Sequence, residues 1–388
     1  MKKKMNFEEA LNIFMPLGKE ILDWMNDHPE ISGHEKQTCA YLVKQLREHG
    51  YKVTSPTKRI KYSFFAKHGD SSVKKPKIAL LCEYDAVEGV GHSCGHSASC
   101  AASIICALAL NAAYEDFPFD IELIGTPNEE VAGAKIAMLE KGLFSPYEFA
   151  ILSQMSPVNS TCFRTLAASD LIVHFFGKAA HASVNPWEGI NSLNGVQLFF
   201  HAIDLLRPYL EPGSQVSGII QDGGTVPNLI PDKASAYVYL RANRYEQILR
   251  LKERIQNCAK GSAIATENRF TTEQLNPTYA EIFCGPTTEK ILGKVMDQLG
   301  LSRQETGTIN GSSDVGNVNL EIPVLYPMIS IGKNVPLYSK EFSECMKGEP
   351  GETGMKNGAL VMGNAIIYLA MHPLELSSIK EEHDCYRG

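Results

Sequence analysis

The chain has 388 residues, of which 44% are hydrophobic and 21% are charged. No apolar run approaches the ~20 residues that a membrane helix needs, and the apolar fraction is ample for a packed core. A transmembrane protein and a disordered chain are therefore both excluded. The net charge of −7 comes without a cluster of lysines and arginines, which argues against nucleic acid and favours small-molecule partners.

Two features predict a cytoplasmic location. The lysines at the start of the chain are followed by Glu8 and Glu9 before any apolar core, a pattern unlike that of a signal peptide. Ten cysteines in 388 residues are too dilute for a disulfide scaffold. They suit a reducing compartment, in which most of them would be buried thiols.

The first part of the chain predicts an α/β domain. Apolar residues at helical spacing predict two opening helices, over 7–28 and 35–49. A strand over 77–84 leads through a loop over 85–97 to a helix over 98–113. The alternation then continues with a strand over 121–126, a helix over 134–141 and a strand over 149–155. We expect a parallel or mixed central sheet with covering helices.

The middle of the chain predicts a smaller inserted α+β domain. Its strands are expected over 170–176, 216–221, 234–241 and 270–275, and its helices over 189–210 and 245–258. After Asn276 and Pro277 the first pattern resumes, with apolar segments over 287–299, 324–331 and 358–371. We therefore predict a discontinuous main domain over 1–167 and 277–388 and an inserted domain over 168–276.

The densest group of possible metal ligands follows the strand over 77–84. Cys94 and His96 lie on a glycine-rich loop beyond its carboxyl end, where open α/β sheets place their ligand sites. Because only Gly95 separates them, both could face one zinc ion, which accepts thiolate and imidazole. The alternative is a buried thiol beside a histidine that caps a helix.

A second group, Glu129 and Glu130, follows the strand over 121–126. Adjacent carboxylates on a turn can divide two roles, one binding a metal and the other accepting a proton from water. The alternative is a pair of solvated glutamates at a helix start, which the helix dipole favours. Two such groups at successive strand ends favour a metal site.

The inserted domain offers polar groups for a substrate. His181 lies in a segment of small residues and could donate to a developing oxyanion, or it is an ordinary loop histidine. Asn228 and Arg241 supply an amide and a guanidinium suited to a carbonyl or carboxylate, although Arg241 could equally be a surface charge. Downstream, the polar segment 311–317 either lines a pocket or connects two elements.

Taken in order, these segments resemble the dinuclear-metal aminoacylase and carboxypeptidase family. Within that family, the motifs resemble those of the amidohydrolase branch, which includes aminobenzoyl-glutamate hydrolase subunits and auxiliary dipeptidases. The resemblance covers nearly the whole chain and rests on six ordered motifs, at 28–30, 83–96, 125–130, 177–189, 226–232 and 311–317.

The resemblance implies a catalytic domain with a metal pair and an inserted lid domain through which two subunits dimerise. It assigns three metal ligands, Cys94, His96 and Glu130. It makes Glu129 the general base that activates water, and it brings His181 to the oxyanion from the partner subunit. Asn228 and Arg241 would orient the substrate.

Two positions depart from the family pattern. Gln154 and Tyr338 stand where the family carries metal-ligating histidines. The first hypothesis is a homodimeric hydrolase of an amide bond in an N-acyl amino acid or dipeptide-like substrate, with one or two divalent ions of zinc, manganese, cobalt or nickel. The alternative is a metal-poor or metal-free member that binds or regulates, or that uses another mechanism.

Overall fold

The structure, a computed structural model, describes residues 2–69, 75–305, 307 and 311–388. The chain forms two compact units: unit 1 combines the chain up to Thr165 with the chain from Ile282, and unit 2 is Leu166–Glu281. Unit 2 thus begins two residues before and ends five residues after the predicted inserted domain. The later end has a physical reason, because Tyr279 exchanges backbone hydrogen bonds with Ala168.

The regular elements of the described residues are as follows. The helices are α1 (Phe7–Asp27), α2 (Lys36–Glu48), α3 (His96–Ala113), α4 (Ala134–Glu140), α5 (Ser192–Leu206), α6 (Tyr245–Ala265), α7 (Pro286–Gln298), α8 (Val315–Glu321), α9 (Lys340–Met346), α10 (Glu349–Met371) and α11 (Pro373–Arg387). The strands are β1 (Lys2–Lys3), β2 (Tyr51–Thr54), β3 (Phe64–His68), β4 (Lys77–Glu83), β5 (Tyr114–Asp116), β6 (Asp120–Thr126), β7 (Tyr147–Ile151), β8 (Gln154–Ser156), β9 (Ala167–Phe176), β10 (Ala180–His181), β11 (Gln215–Asp222), β12 (Leu229–Ile230), β13 (Lys233–Ala242), β14 (Arg269–Glu273), β15 (Val324–Leu325) and β16 (Met328–Ser330).

Unit 1 is built around a mixed six-stranded sheet in the order β15-β7-β4-β6-β3-β2. The four strands from β15 to β6 run parallel, and β3 and β2 add an antiparallel edge that was not predicted from the sequence. Side chains of β4 alternate between two cores: Leu80 packs in the core with α3, and Leu81 packs in the core on the other face. The predicted α/β class with a mixed central sheet is confirmed.

Helix α3 lies at the centre of one core of unit 1, in contact with α1 and α10. Among the described residues, α3 is the single helix that by itself has the length and mean hydropathy to cross a membrane, and 89% of that window is buried within the protein. The helices α10 and α11 meet the same criteria only together, across a bend of 105°. The apolar surface of α3 is therefore used for core packing.

Unit 2 is a four-stranded antiparallel sheet in the order β11-β13-β9-β14, with α5 and α6 packed against it. The side chains of Phe175, Phe199 and Ile255 meet in its core. β11 is an edge strand on which Ile219 and Ile220 are exposed. This is the α+β arrangement predicted for the inserted domain.

Several predicted boundaries are wrong. The helix predicted over 98–113 begins at His96, and the helix predicted over 245–258 continues to Ala265. The strand predicted over 149–155 is divided into β7 and β8, and the apolar segment 324–331 is divided into β15 and β16. The pairs β7 with β15 and β8 with β16 nevertheless keep one register. Pro327 lies at the interruption, and proline lacks the N–H that a continuous ladder needs.

The cysteines also differ from expectation at one pair. Cys162 and Cys284, both in unit 1, form a disulfide. The other eight cysteines are free, and five of them are buried. The structure therefore contains a cross-link that the prediction of dilute, reduced thiols did not include.

Candidate metal centre and active site

The two ligand-rich segments of unit 1 follow neighbouring strands. β4 and β6 are parallel and adjacent, and Glu83 at the end of β4 is paired with Thr126 at the end of β6. The residues after both strands therefore emerge at the same edge of the sheet. This topology brings the segment with Cys94 and His96 to the segment with Glu129 and Glu130.

Gly95 shapes the first segment. It precedes α3 with a φ of +86°, in the left-handed region, and a Cβ at this position would lie 2.4 Å from Cβ of Met155. The turn at Gly95 brings the ligand atoms of Cys94 and His96 within 4.8 Å of each other. His96 is the first residue of α3. The bend that the sequence predicted at Gly95 is present, and the role of its two neighbours as metal ligands stays a prediction.

Cys94, His96 and Glu130 form one candidate metal centre. One ligand atom from each lies within 4.8 Å of the other two. Glu130 Oε1 is buried and has no hydrogen-bond partner among the described residues, so an acceptor is left available. A thiolate, an imidazole and a carboxylate suit zinc and related divalent ions, and three protein ligands with a fourth position open are typical of catalytic zinc sites.

Asp85 orients this centre. His96 Nδ1 lies 3.0 Å from the carbonyl oxygen of Asp85 and 3.2 Å from its carboxylate. This contact directs the other ring nitrogen, Nε2, toward the carboxylates of Glu83, at 3.5 Å, and Glu129, at 3.9 Å. The same Asp85 carboxylate accepts the backbone N–H of Glu130 at 2.9 Å and the hydroxyl of Ser32 at 2.6 Å. One carboxylate thus fixes two of the three candidate ligands.

The turn that carries Glu129 and Glu130 is held by Glu35, which is buried at the start of α2. Its Oε1 accepts the backbone N–H groups of Asn128 at 2.7 Å and Gly33 at 2.9 Å. Asn128 has a φ of +58°, a conformation that asparagine tolerates better than most residues. Burial raises the pKa of Glu35 to about 7, against the opposing effect of these backbone donors.

Glu129 belongs to a second group of carboxylates, with Glu83 and Asp314. Burial and the charges of Glu130, Glu83 and Asp314 raise the pKa of Glu129 well above its usual range. Lys135 lies within this group: its Nζ is 2.7 Å from Glu83 Oε1 and 2.7 Å from Asp314 Oδ1. The ammonium partly neutralises a concentration of negative charge that burial would otherwise make unfavourable.

The two positions without histidine contact the same region. Gln154 Nε2 donates to the backbone oxygen of Cys94 at 2.9 Å, and its Oε1 accepts the hydroxyl of Tyr326 at 2.8 Å. The amide thus supports the backbone of a candidate ligand. Tyr338 donates its backbone N–H to the backbone oxygen of Ser93 at 2.9 Å, and its side chain is exposed.

The predicted site residues of unit 2 fall into two places. His181 on β10 is paired with Leu229 on β12, and the backbone oxygen of Asn228 accepts the N–H of Ala182 at 3.0 Å. Arg241 is near the other end of β13, paired with Ala168 and Gln215. The structure brings His181 and Asn228 together and separates Arg241 from both.

Three buried residues at the carboxylate group were missed as site residues: Glu83, Lys135 and Asp314. Glu83 and Asp314 lie in segments that the sequence motifs had singled out, at a strand end and in a polar turn, but neither received a role. Lys135 gave no signal, because one lysine in an amphipathic helix is an ordinary surface residue. Its complete burial is visible only in the structure.

Comparison with known proteins adds an independent observation. Residues 167–267 match the family model described as the peptidase dimerisation domain. Unit 2 contains a peptidase dimerisation domain. This agrees with the inserted dimerisation domain that the family resemblance implied.

The comparisons extend beyond unit 2. The chain is 29% identical over 321 residues to Xaa-Arg dipeptidase of Mus musculus, covering 80% of this chain and 74% of that protein. It is 28% identical over 271 residues to one of the p-aminobenzoyl-glutamate hydrolase subunits of Escherichia coli (strain K12), covering 64% of this chain and 55% of that protein. A dinuclear metal binding peptidase of Bacillus subtilis has the same fold, with a TM-score of 0.71 at 18% identity over 93% of this chain and 99% of that one. The family resemblance predicted from the motifs is confirmed.

Proposed function

We propose that the chain is a metal-dependent hydrolase of an amide bond in a small N-acyl amino acid or dipeptide-like substrate. The observation that carries the proposal is the convergence of Cys94, His96 and Glu130 within 4.8 Å, with Glu129 beside them. The predicted hydrolase class agrees with the names of the relatives, a dipeptidase and a hydrolase.

The residues of unit 1 supply complementary functions. A divalent ion at Cys94, His96 and Glu130 would polarise the substrate carbonyl and lower the pKa of a water molecule. Glu129 accepts the proton of the attacking water and delivers it to the leaving amine. Burial and the neighbouring carboxylates raise its pKa, which makes Glu129 a stronger base than an exposed glutamate.

The residues of unit 2 would bind the substrate and its transition state. His181 donates to the oxyanion, and Asn228 and Arg241 orient the carbonyl and carboxylate of the substrate. Arg241 has a buried Nη1 without a hydrogen-bond partner in the described part of the chain, while its guanidinium lies over the ring of Tyr239 at 5.1 Å. A substrate carboxylate would satisfy that donor.

The separation within unit 2 supports a homodimer. The separate β10–β12 pair follows the Phe176–Lys233 end of the β9–β13 ladder in the chain, whereas Arg241 lies eight positions along β13 in the other direction. At about 3.3 Å per residue, more than about 26 Å separates the two places. A dipeptide spans at most about 7 Å. If His181 and Arg241 contact one substrate, they come from different subunits.

The hydrolase proposal is tested on purified protein with a panel of N-acyl amino acids and dipeptides, before and after chelation. Chelation is expected to abolish turnover, and Glu129→Gln is expected to reduce kcat by about 10²-fold or more, the usual contribution of a general base. The matched control is Glu88→Gln, which changes an exposed glutamate of the Cys94 loop and should leave kcat unchanged. Full activity in Glu129→Gln would refute the general-base role.

The subunit arrangement is tested by mixing inactive variants. His181→Ala should lower kcat by about 10²-fold, as for other lost oxyanion donors. Mixed dimers of His181→Ala and Glu129→Gln should regain activity, because one of their two sites combines an intact Glu129 with an intact His181. Activity no higher than that of the two separate variants would contradict transfer of His181 between subunits.

A second candidate function is binding or regulation without hydrolysis, and Gln154 and Tyr338 favour it. Neither supplies the imidazole expected at its position, and the amide of Gln154 is engaged with Cys94 and Tyr326. Protein that takes up no metal and binds a member of the substrate panel without turnover would support this candidate. For location we propose the cytoplasm, since a reduced Cys94 is required for the metal centre.

A further inference from the structure

The carboxylate group beside Glu129 has a cation from the chain itself. Lys135, the second residue of α4, is completely buried. Its Nζ lies 2.7 Å from an oxygen of Glu83 and 2.7 Å from an oxygen of Asp314, and its backbone N–H donates to the other oxygen of Asp314 at 3.0 Å. The lysine is thus bound to the group through both its side chain and its backbone.

These contacts use the oxygens on which a metal ion would depend. Glu83, Glu129 and Asp314 have ligand atoms within 4.8 Å of one another, a spacing that would suit a divalent cation if the ammonium were absent. A zinc ion lies about 2.0–2.2 Å from a carboxylate oxygen. An ion bound to the oxygens of Glu83 and Asp314 that face Lys135 would therefore collide with Nζ and be repelled by its charge.

The ammonium cannot easily yield to an incoming ion. Moving Lys135 out of the group would leave a buried ammonium without its carboxylate partners, which is strongly unfavourable. By contrast, the centre formed by Cys94, His96 and Glu130 contains no lysine, and Glu130 Oε1 has no hydrogen-bond partner in the described ranges. The two groups therefore differ in their ability to accept a metal.

We propose that Lys135 is the resident cation of the Glu83, Glu129 and Asp314 group, so that this group binds no metal ion and the divalent ion of each subunit binds at Cys94, His96 and Glu130. This inference rests on the metal centre of the proposed function. Glu129 then lies between a metal centre on one side and a fixed ammonium on the other.

The experiment counts bound ions. Wild-type protein is stripped of metal under reducing conditions, dialysed to equilibrium against excess Co²⁺ and analysed for metal and protein content. One ion per subunit is expected, with a thiolate-to-cobalt charge-transfer absorption that disappears in Cys94→Ser. Two ions, or none, in the wild-type protein would overturn the proposal without any need for a Lys135 variant.

The role of Lys135 is tested by removing its charge. Lys135→Met, checked for folding by circular dichroism, should bind two ions per subunit, because the three carboxylates become free to bind a metal. Lys135→Gln is the second variant if Lys135→Met does not fold. Lys141→Met is the matched control: Lys141 is exposed and directly follows the same helix, and this variant should still bind one ion. If every Lys135 variant that folds binds one ion, as the control does, the proposal that Lys135 excludes a metal ion from the carboxylate group is wrong.

The result is independent of turnover. One ion in the wild type and two in Lys135→Met, without hydrolysis of any substrate, would support the inference while the proposed hydrolase fails. Two ions in the wild type, with turnover that chelation abolishes, would support the hydrolase and refute the inference.

Discussion

Replacing Gly95 by alanine should disturb the metal centre through the backbone. The φ of +86° disfavours any residue with a Cβ, at a cost of about 1–2 kcal/mol. The new Cβ would also lie 2.4 Å from Cβ of Met155, which has little freedom to move. Overpacking of a well-packed site costs about 1–3 kcal/mol. We therefore expect Gly95→Ala to lower the free energy of unfolding by about 2–5 kcal/mol.

The matched control is Gly89→Ala. Gly89 has a φ of +72°, but no atom lies within 4 Å of the position that the new methyl group would take, so only the conformational cost of about 1–2 kcal/mol applies. Both variants are compared by urea denaturation and by titration with Zn²⁺. Gly95→Ala should be the less stable variant and should bind zinc more weakly, since Cys94 and His96 flank the displaced turn. Equal stability and equal zinc affinity of the two variants would refute this reasoning.

Two further predictions concern residues that support the centre. Asp85→Asn should weaken zinc binding about 10–100-fold, because Asp85 orients His96 and the backbone of Glu130. An unchanged zinc affinity in calorimetry would contradict that role. Glu35 has a pKa raised from 4.5 to about 7 in the folded protein, so the folded state binds the proton more tightly and loses stability as the pH rises through this range. Glu35→Gln should therefore lose less stability than the wild type between about pH 5 and about pH 8, and the difference should reach up to about 3 kcal/mol in urea denaturation. An identical pH dependence of the free energy of unfolding in both proteins would refute the raised pKa of Glu35.

The sequence predicted local features well where a short-range pattern controls them. The helices α1 and α2 and the strand β4 lie within one residue of their predicted ends, because apolar periodicity reports which face of each element is buried. Cys94 and His96 were identified for a similar reason, since the glycine between them determines their common direction. Glu129 and Glu130 were placed by the end of a strand.

The sequence could not predict features that depend on pairing between distant segments. The edge strands β2 and β3 were missed because they are only four and five residues long. The shared register of β7 with β15 joins segments 174 residues apart. For the same reason, the separation of Arg241 from His181 could not be predicted. Their distance follows from the strand register of unit 2.

The sequence by itself determined which residue types are available for a metal centre and at which strand ends they occur. The tertiary structure alone decided which charges meet. Lys135 and Asp314 are 179 positions apart, yet they form a buried pair in the middle of the carboxylate group. Electrostatic energy depends on distance and burial rather than on position along the chain, so only the folded arrangement shows that this group already contains a cation.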